Sequence, residues 1–227
     1  MPDVAELVGR LLSDDLERRE RGRLLVELAR GLGSSAGNVG RHLTDLLVDD
    51  VAPHLPVRDL LTLREHHGGL SGDALAKALV SRASRVTAGI GAAAGAAASL
   101  EFAAPPLLLT APAQLVAETL AVVAVEVKLV AELHVVYGRR AHGSRGQVAL
   151  AYLAAWANRT AVDGGSPTLE LGTALRANVR GRVVRRLQRN LASFAPFLVG
   201  AATAAELNRR ETKALGSAVT SHLRPSR

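Results

Sequence analysis

The sequence predicts an all-α fold, a multi-helix bundle with a central Ala/Gly-rich helical pair, and three observations carry that reading. Apolar residues recur at helical spacing along most of the chain, and no segment sustains period-two alternation. Only 3% of the residues are aromatic against 48% hydrophobic. Leu, Val and Ala must therefore fill the core, which favours closely approaching helices over a β-sandwich. The stretch 86–127 is rich in Ala and Gly and carries glutamates but no Lys or Arg. With 227 residues the chain suits one continuous domain, or an N-terminal helical region over 1–70 followed by a helical core over 71–227.

Taken in order, 2–32 reads as one or two amphipathic helices. Leu7, Leu11 and Leu12 begin a stripe that Leu16, Leu24, Leu25 and Leu28 continue, and Ser13 with Asp14 and Asp15 marks a possible break. A helix over 38–51 turns Leu43, Leu46 and Leu47 inward. Pro53 and Pro56 mark a turn before a short helix over 58–66. A long helix starts behind Ser71 and Asp73 and runs into the Gly/Ala stretch, which Pro105 and Pro106 interrupt. Helix resumes over 112–137 and closes at Gly138. Further helices are expected over 148–162, 169–191 and 195–222, the first two separated by the loop Asp163 to Pro167.

The apolar centre invites comparison with a membrane hairpin. Spanning a bilayer takes about 20 predominantly apolar residues, and the uncharged stretches 86–100 and 102–117 are shorter. Glu101 and Glu118 burden one arm each, so the stretch is read as buried core. Gly91 and Gly95 form a GxxxG pattern, extended by Gly89 and Ala93, that lets two helix backbones approach closely. Gly200 is assigned the same packing role. On the second arm Glu118 and Glu132 project near one face, with Glu126 and Lys128 to either side. On a mostly apolar helix some of these charges must be buried and need donors or cations. A buried polar network of Glu101, Glu118, Glu126, Lys128, Glu132, Asn208 and Arg209 is expected, with Arg210 and Lys213 as further possible cations.

Two stretches resemble the EcsC family of bacterial helical proteins. The first holds Gly89, Gly91 and Gly95, then Glu101 before Pro105, a hydrophobic helix and a closing Tyr137-Gly138. The second holds Pro196, Gly200, Asn208, Thr212 and Gly216. Together they cover about a third of the chain, and the order across two distant segments is the more specific feature. The chain departs from the family pattern in its proline pair and its longer basic region. The resemblance implies a helical fold without an agreed molecular activity. Because the family takes its name from a gene beside an ABC transporter, it also implies a membrane-related setting.

Catalytic and metal chemistry find little support in the sequence. There is no cysteine, which removes disulfides and thiolate metal sites. The seven histidines form no HExxH motif, and Glu132 and His134, two apart on a helix, point in different directions. Neither a nucleophile elbow nor a phosphate loop is present. No catalytic residue, metal ligand, cofactor or small-molecule substrate is assigned, and the chain is read as non-enzymatic. Met1, Pro2, Asp3 and Glu6 lack the pattern of a cleaved signal peptide, so a cytoplasmic protein is expected, with a possible peripheral position at the inner face of the cell membrane.

The net charge of +7 (28 Lys and Arg against 21 Asp and Glu) suits an anionic partner. No Asp or Glu occurs from Leu171 to Ala205, a region that includes Arg176 and Arg180. Arg182, Arg185, Arg186 and Arg189 project to one side of a helix whose other side carries Val183, Val184, Leu187 and Leu191. That is a basic amphipathic helix, suited to anionic membrane lipid. The expected function is peripheral membrane association or lipid binding through these four arginines. The alternatives are a scaffold that assembles as a homo-oligomer through its small-residue helices or a nucleic-acid binder. Nothing in the chain marks a base-stacking or helix-turn-helix module.

Overall fold

The computed structural model describes residues 3–13, 16–32, 39–103, 111–162, 169–190 and 199–224. All regular structure among them is helical. Asp3 accepts the Ala5 N–H at 3.1 Å and so opens α1 (Val4–Leu11), which buries Leu7, Val8 and Leu11. α2 (Arg18–Leu32) follows, so the amino-terminal segment is two helices. The single helix expected over 38–51 is shorter. α3 (Val39–Asp45) passes into a π-helical turn, Leu46–Val51, and a 3-10 turn, Ala52–His54. Pro53 lacks an N–H and cannot continue the ladder.

α4 (Leu60–His66) begins two residues later than expected, because Asp59 caps it by accepting the Thr62 N–H at 2.9 Å. Arg58 is thereby left outside the helix. Gly68 and Gly69 end α4 at φ of 61° and 81°, and the Gly69 N–H closes the turn on the Arg64 carbonyl at 2.8 Å. L side chains resist that backbone region.

α5 (Gly72–Ala103) and α6 (Ala111–Val136) are the Ala/Gly-rich pair. α7 (Arg145–Asn158) starts from a capping box in which Ser144 accepts the Gln147 N–H and Gln147 accepts the Ser144 N–H. α8 (Leu169–Asn190) and α9 (Val199–Leu223) complete the chain. Pro105, Pro106, Pro196 and the 163–167 loop lie outside the described residues.

α6 is the axis of the molecule. Every residue from Leu115 to Val135 except Lys128 is buried, because α5, α9, α2, α7 and α8 all pack against it. One apolar cluster runs from Leu7 to Leu223, so residues before and after position 70 share a core. α5 and α9 lie closest. A Cβ on Gly95 would fall 2.5 Å from the Ala201 Cα, and one on Gly91 2.9 Å from the Ala204 carbonyl. The small-residue face is thus filled by a helix of the same chain. Gly89 does not extend it, since a Cβ there would meet Arg21 of α2. The packing expected of Gly200 falls outside what is described of that residue. Tyr137, Asp73 and Arg224 clamp the ends of α6, α5 and α9 together, with the Tyr137 hydroxyl 2.5 Å from Asp73. Among the described residues no helix is long and apolar enough to cross a membrane.

Candidate functional site

The glutamates of α6 enter two separate arrangements. Glu118 and Glu132 sit 14 residues apart, about 21 Å along a helix. Sharing a face therefore does not give them shared neighbours. Glu132 receives two hydrogen bonds from Arg58, at 2.8 and 2.9 Å, and lies 3.5 Å from Lys128. This paired fork is the strong form of a guanidinium–carboxylate contact. Arg58 can reach it because the cap at Asp59 keeps that residue out of α4.

Glu118 and Glu126 belong to the second arrangement, a buried network joining α5, α6, α7, α8 and α9. Arg186 is its hub. Its Nη2 donates to the Asn208 carbonyl oxygen Oδ1 at 3.1 Å and lies 3.2 Å from Glu126 Oε1, while Nη1 lies 3.7 Å from Glu211. Thr212 and the Trp156 indole donate to Glu126 at 3.0 and 2.9 Å. The Asn208 amide donates to Glu118 Oε1 at 3.1 Å, and the Thr87 hydroxyl lies 2.9 Å from that of Thr212. Glu211 carries the network to the surface, where Arg159 and Arg189 meet it at 3.0 and 3.5 Å.

Charge balance differs sharply along this chain of contacts. Glu126 has a cation and two neutral donors. Among the described residues, wholly buried Glu118 has a single donor, and its Oε2 and the Arg186 Nε have no hydrogen-bond partner. Burial pushes the Glu118 carboxyl up to about 7, against the opposing pull of Asn208 and Arg186. His134, also buried, is held neutral by the same effect, with its pKa lowered chiefly by burial. Its Nδ1 lies 2.7 Å from the Val130 carbonyl and so donates, and its Nε2 accepts the Val162 N–H at 2.8 Å. Both ring nitrogens are satisfied. Among the described residues no group of His, Asp and Glu could hold a metal ion.

Several expectations are corrected. Arg209 is not in the buried network. It pairs with half-buried Glu206 at 2.7 Å, as Arg210 does at 2.5 Å. Lys128 and Glu132 share the other cluster, and the side chain of Glu101 lies outside the described residues. Arg182 and Arg186 are buried, at 8% and 3% exposure, so they do not stand on an outer face. Arg182 lies over the Trp156 ring, 4.6 Å from its centroid, and donates to the Ala157 carbonyl. Burial lowers its pKa to about 10. At about 100° per residue, the buried face of α8 is turned roughly a quarter turn from the apolar side, because Glu126 and Trp156 draw two arginines inward.

The solvent-facing arc of α8 carries Arg180, Arg185 and Arg189. Arg189 shares Glu211, while Arg180 and Arg185 have no acidic partner among the described residues. Arg176, further along, is held by Asp45 and Asp49 of the α3 region at 3.3 and 2.8 Å. The sequence reading passes over Arg58 of the Glu132 cluster and, in the network, Trp156, Glu211 and Arg159. Asn208 and Thr212, four apart on an apolar face of α9, are the one signal that points to them. No protein-family model, curated protein or solved structure shows a significant match to the chain.

Proposed function

We propose that this chain is a non-catalytic helical protein that associates peripherally with an anionic membrane surface through the outer arc of α8. The supporting observation is an arc that carries three arginines and, from Leu171 onward, no carboxylate, on a helix whose inner face is anchored by Arg186. Each arginine near an anionic surface contributes about 1 kcal/mol, so the three supply a weak, salt-sensitive attachment. Arg41 adds an exposed charge on α3, whose Gly40 packs against Val184 of α8. The resemblance to the EcsC family stays part of this reading. Gly91, Gly95, Asn208, Thr212 and Gly216, which helped suggest it, all lie at the contact of α5 with α9.

Vesicle flotation tests the proposal. The protein is expected to float with vesicles containing anionic lipid at low salt, to be released at high salt and to ignore purely zwitterionic vesicles. R180Q/R185Q should lose most of the binding while melting like the wild type. Binding that is indifferent to vesicle charge or unchanged in this variant would contradict it. So would a gel shift with duplex DNA in the absence of any flotation.

A further inference from the structure

A second basic feature lies away from α8. The 52–59 segment and the start of α7 enclose an open groove of about 660 Å³, with Val135, Val148 and Ala149 among its apolar lining residues. That volume is in the range of small-molecule sites, about 300–1,000 Å³. The groove keeps its shape through local bonds. The Ala141 N–H donates to the Tyr152 hydroxyl at 3.2 Å, and Arg58 is tied to Glu132. Asp59, the one carboxylate of the lining, is occupied as the α4 cap and accepts the Thr62 hydroxyl as well as its N–H.

Arg140 and Arg145 differ from Arg58, the third arginine of the lining. Both line the groove and are exposed, and neither has an ion-pair partner among the described residues. Arg58 is matched by the Glu132 carboxylate at 2.8 Å. With Arg58 neutralised by Glu132 and Asp59 anionic but turned to its α4 cap, Arg140 and Arg145 leave the lining net positive beside an apolar floor. Arg145 is also the first residue of α7, where the positive end of the helix dipole reinforces an anionic preference.

The geometry points to a site for one single-chain anionic amphiphile, a lysophospholipid whose phosphate meets Arg140 and Arg145 while its chain lies along Val135, Val148 and Ala149. A free phosphate would leave the apolar floor unused, and a neutral amphiphile would leave both guanidiniums unmatched. The site does not rest on membrane attachment through α8.

Calorimetry below the critical micelle concentration tests it, using myristoyl lysophosphatidic acid, the lysophosphatidylcholine of the same chain, and inorganic phosphate. One equivalent of the anionic lysolipid is expected to bind, at least tenfold tighter than the zwitterionic one, with no heat from phosphate. R140Q/R145Q should weaken it by about tenfold or more, the scale of a lost charged hydrogen bond. Both positions are exposed, so this variant should melt like the wild type. V148W should block the chain without altering the arginines. R180Q/R185Q should bind the lysolipid normally, which separates this site from the α8 arc. Equal affinity for the two lysolipids, or undiminished binding by R140Q/R145Q, would overturn the assignment. An acidic amphipathic peptide binding where the lysolipid does not would overturn it in favour of a protein partner.

Discussion

Glu118 shows how one side chain can make the molecule sensitive to pH. Its carboxyl has an ordinary value of 4.5 and sits at about 7 in the folded state. Between those values the folded protein holds a proton that the unfolded chain has released, so stability must fall as pH rises through the window. The loss amounts to about 3 kcal/mol. E118Q cannot titrate and should lack this slope, and it should exceed the wild type in stability at pH 8. Urea unfolding at pH 5 and pH 8 checks both, and an unchanged slope in E118Q would contradict the assignment. His134 works in the other sense. Its lowered pKa means that folding excludes a proton, a contribution present above about pH 6.5 and lost as pH falls below it. Comparing E118Q with the wild type cancels the histidine and isolates the glutamate. Burial of Glu118 is legible in the sequence, because a mostly apolar helix must bury some of its carboxylates. Its shortage of donors was not, since that depends on which side chain of another helix arrives opposite.

At the level of helices, the contact of α5 with α9 depends on residues without side chains. Adding a Cβ at Gly95 sets it against backbone, which cannot rotate away, while at Gly216 it meets only the Val80 side chain, at 2.5 Å. Overpacking costs about 1–3 kcal/mol and Ala gains about 1 kcal/mol over Gly in a helix. With the backbone contact placing it at the top of that range, G95A should therefore lose about 2 kcal/mol net. G216A should lose less than about 1 kcal/mol, because Val80 can change rotamer. Thermal melts of the two variants measure the difference, and equal losses would contradict a backbone-limited contact. Much of this level was legible in the sequence. The Gly91/Gly95 spacing announced a close partner, and the apolar periodicity announced the helices. What stayed hidden was rotation about the axis. On α8 periodicity alone assigned Val183, Val184 and Leu187 to the inside, whereas a buried carboxylate and an indole on other helices pulled Arg182 and Arg186 inward. Long-range pairing of that kind leaves no periodic trace.

Across the whole molecule, the arginines divide by neighbour rather than by position in the sequence. Arg182 and Arg186 face a buried carboxylate and an aromatic ring and hold α8 against α6, α7 and α9. Arg180 and Arg185, on the same helix, face solvent and are left for an anionic partner. Removing one member of a buried pair costs about 3–5 kcal/mol, because the other charge stays buried, whereas a substitution on an exposed surface changes stability by no more than about 0.5 kcal/mol. Urea unfolding of R185Q and R186Q, two variants that each remove one charge from adjacent positions of one helix, is the most direct test of this division. R186Q should lose about 3–5 kcal/mol and R185Q should unfold with the wild-type midpoint. Equal losses, or a larger loss for R185Q, would contradict an α8 anchored through Arg186 and open through Arg185.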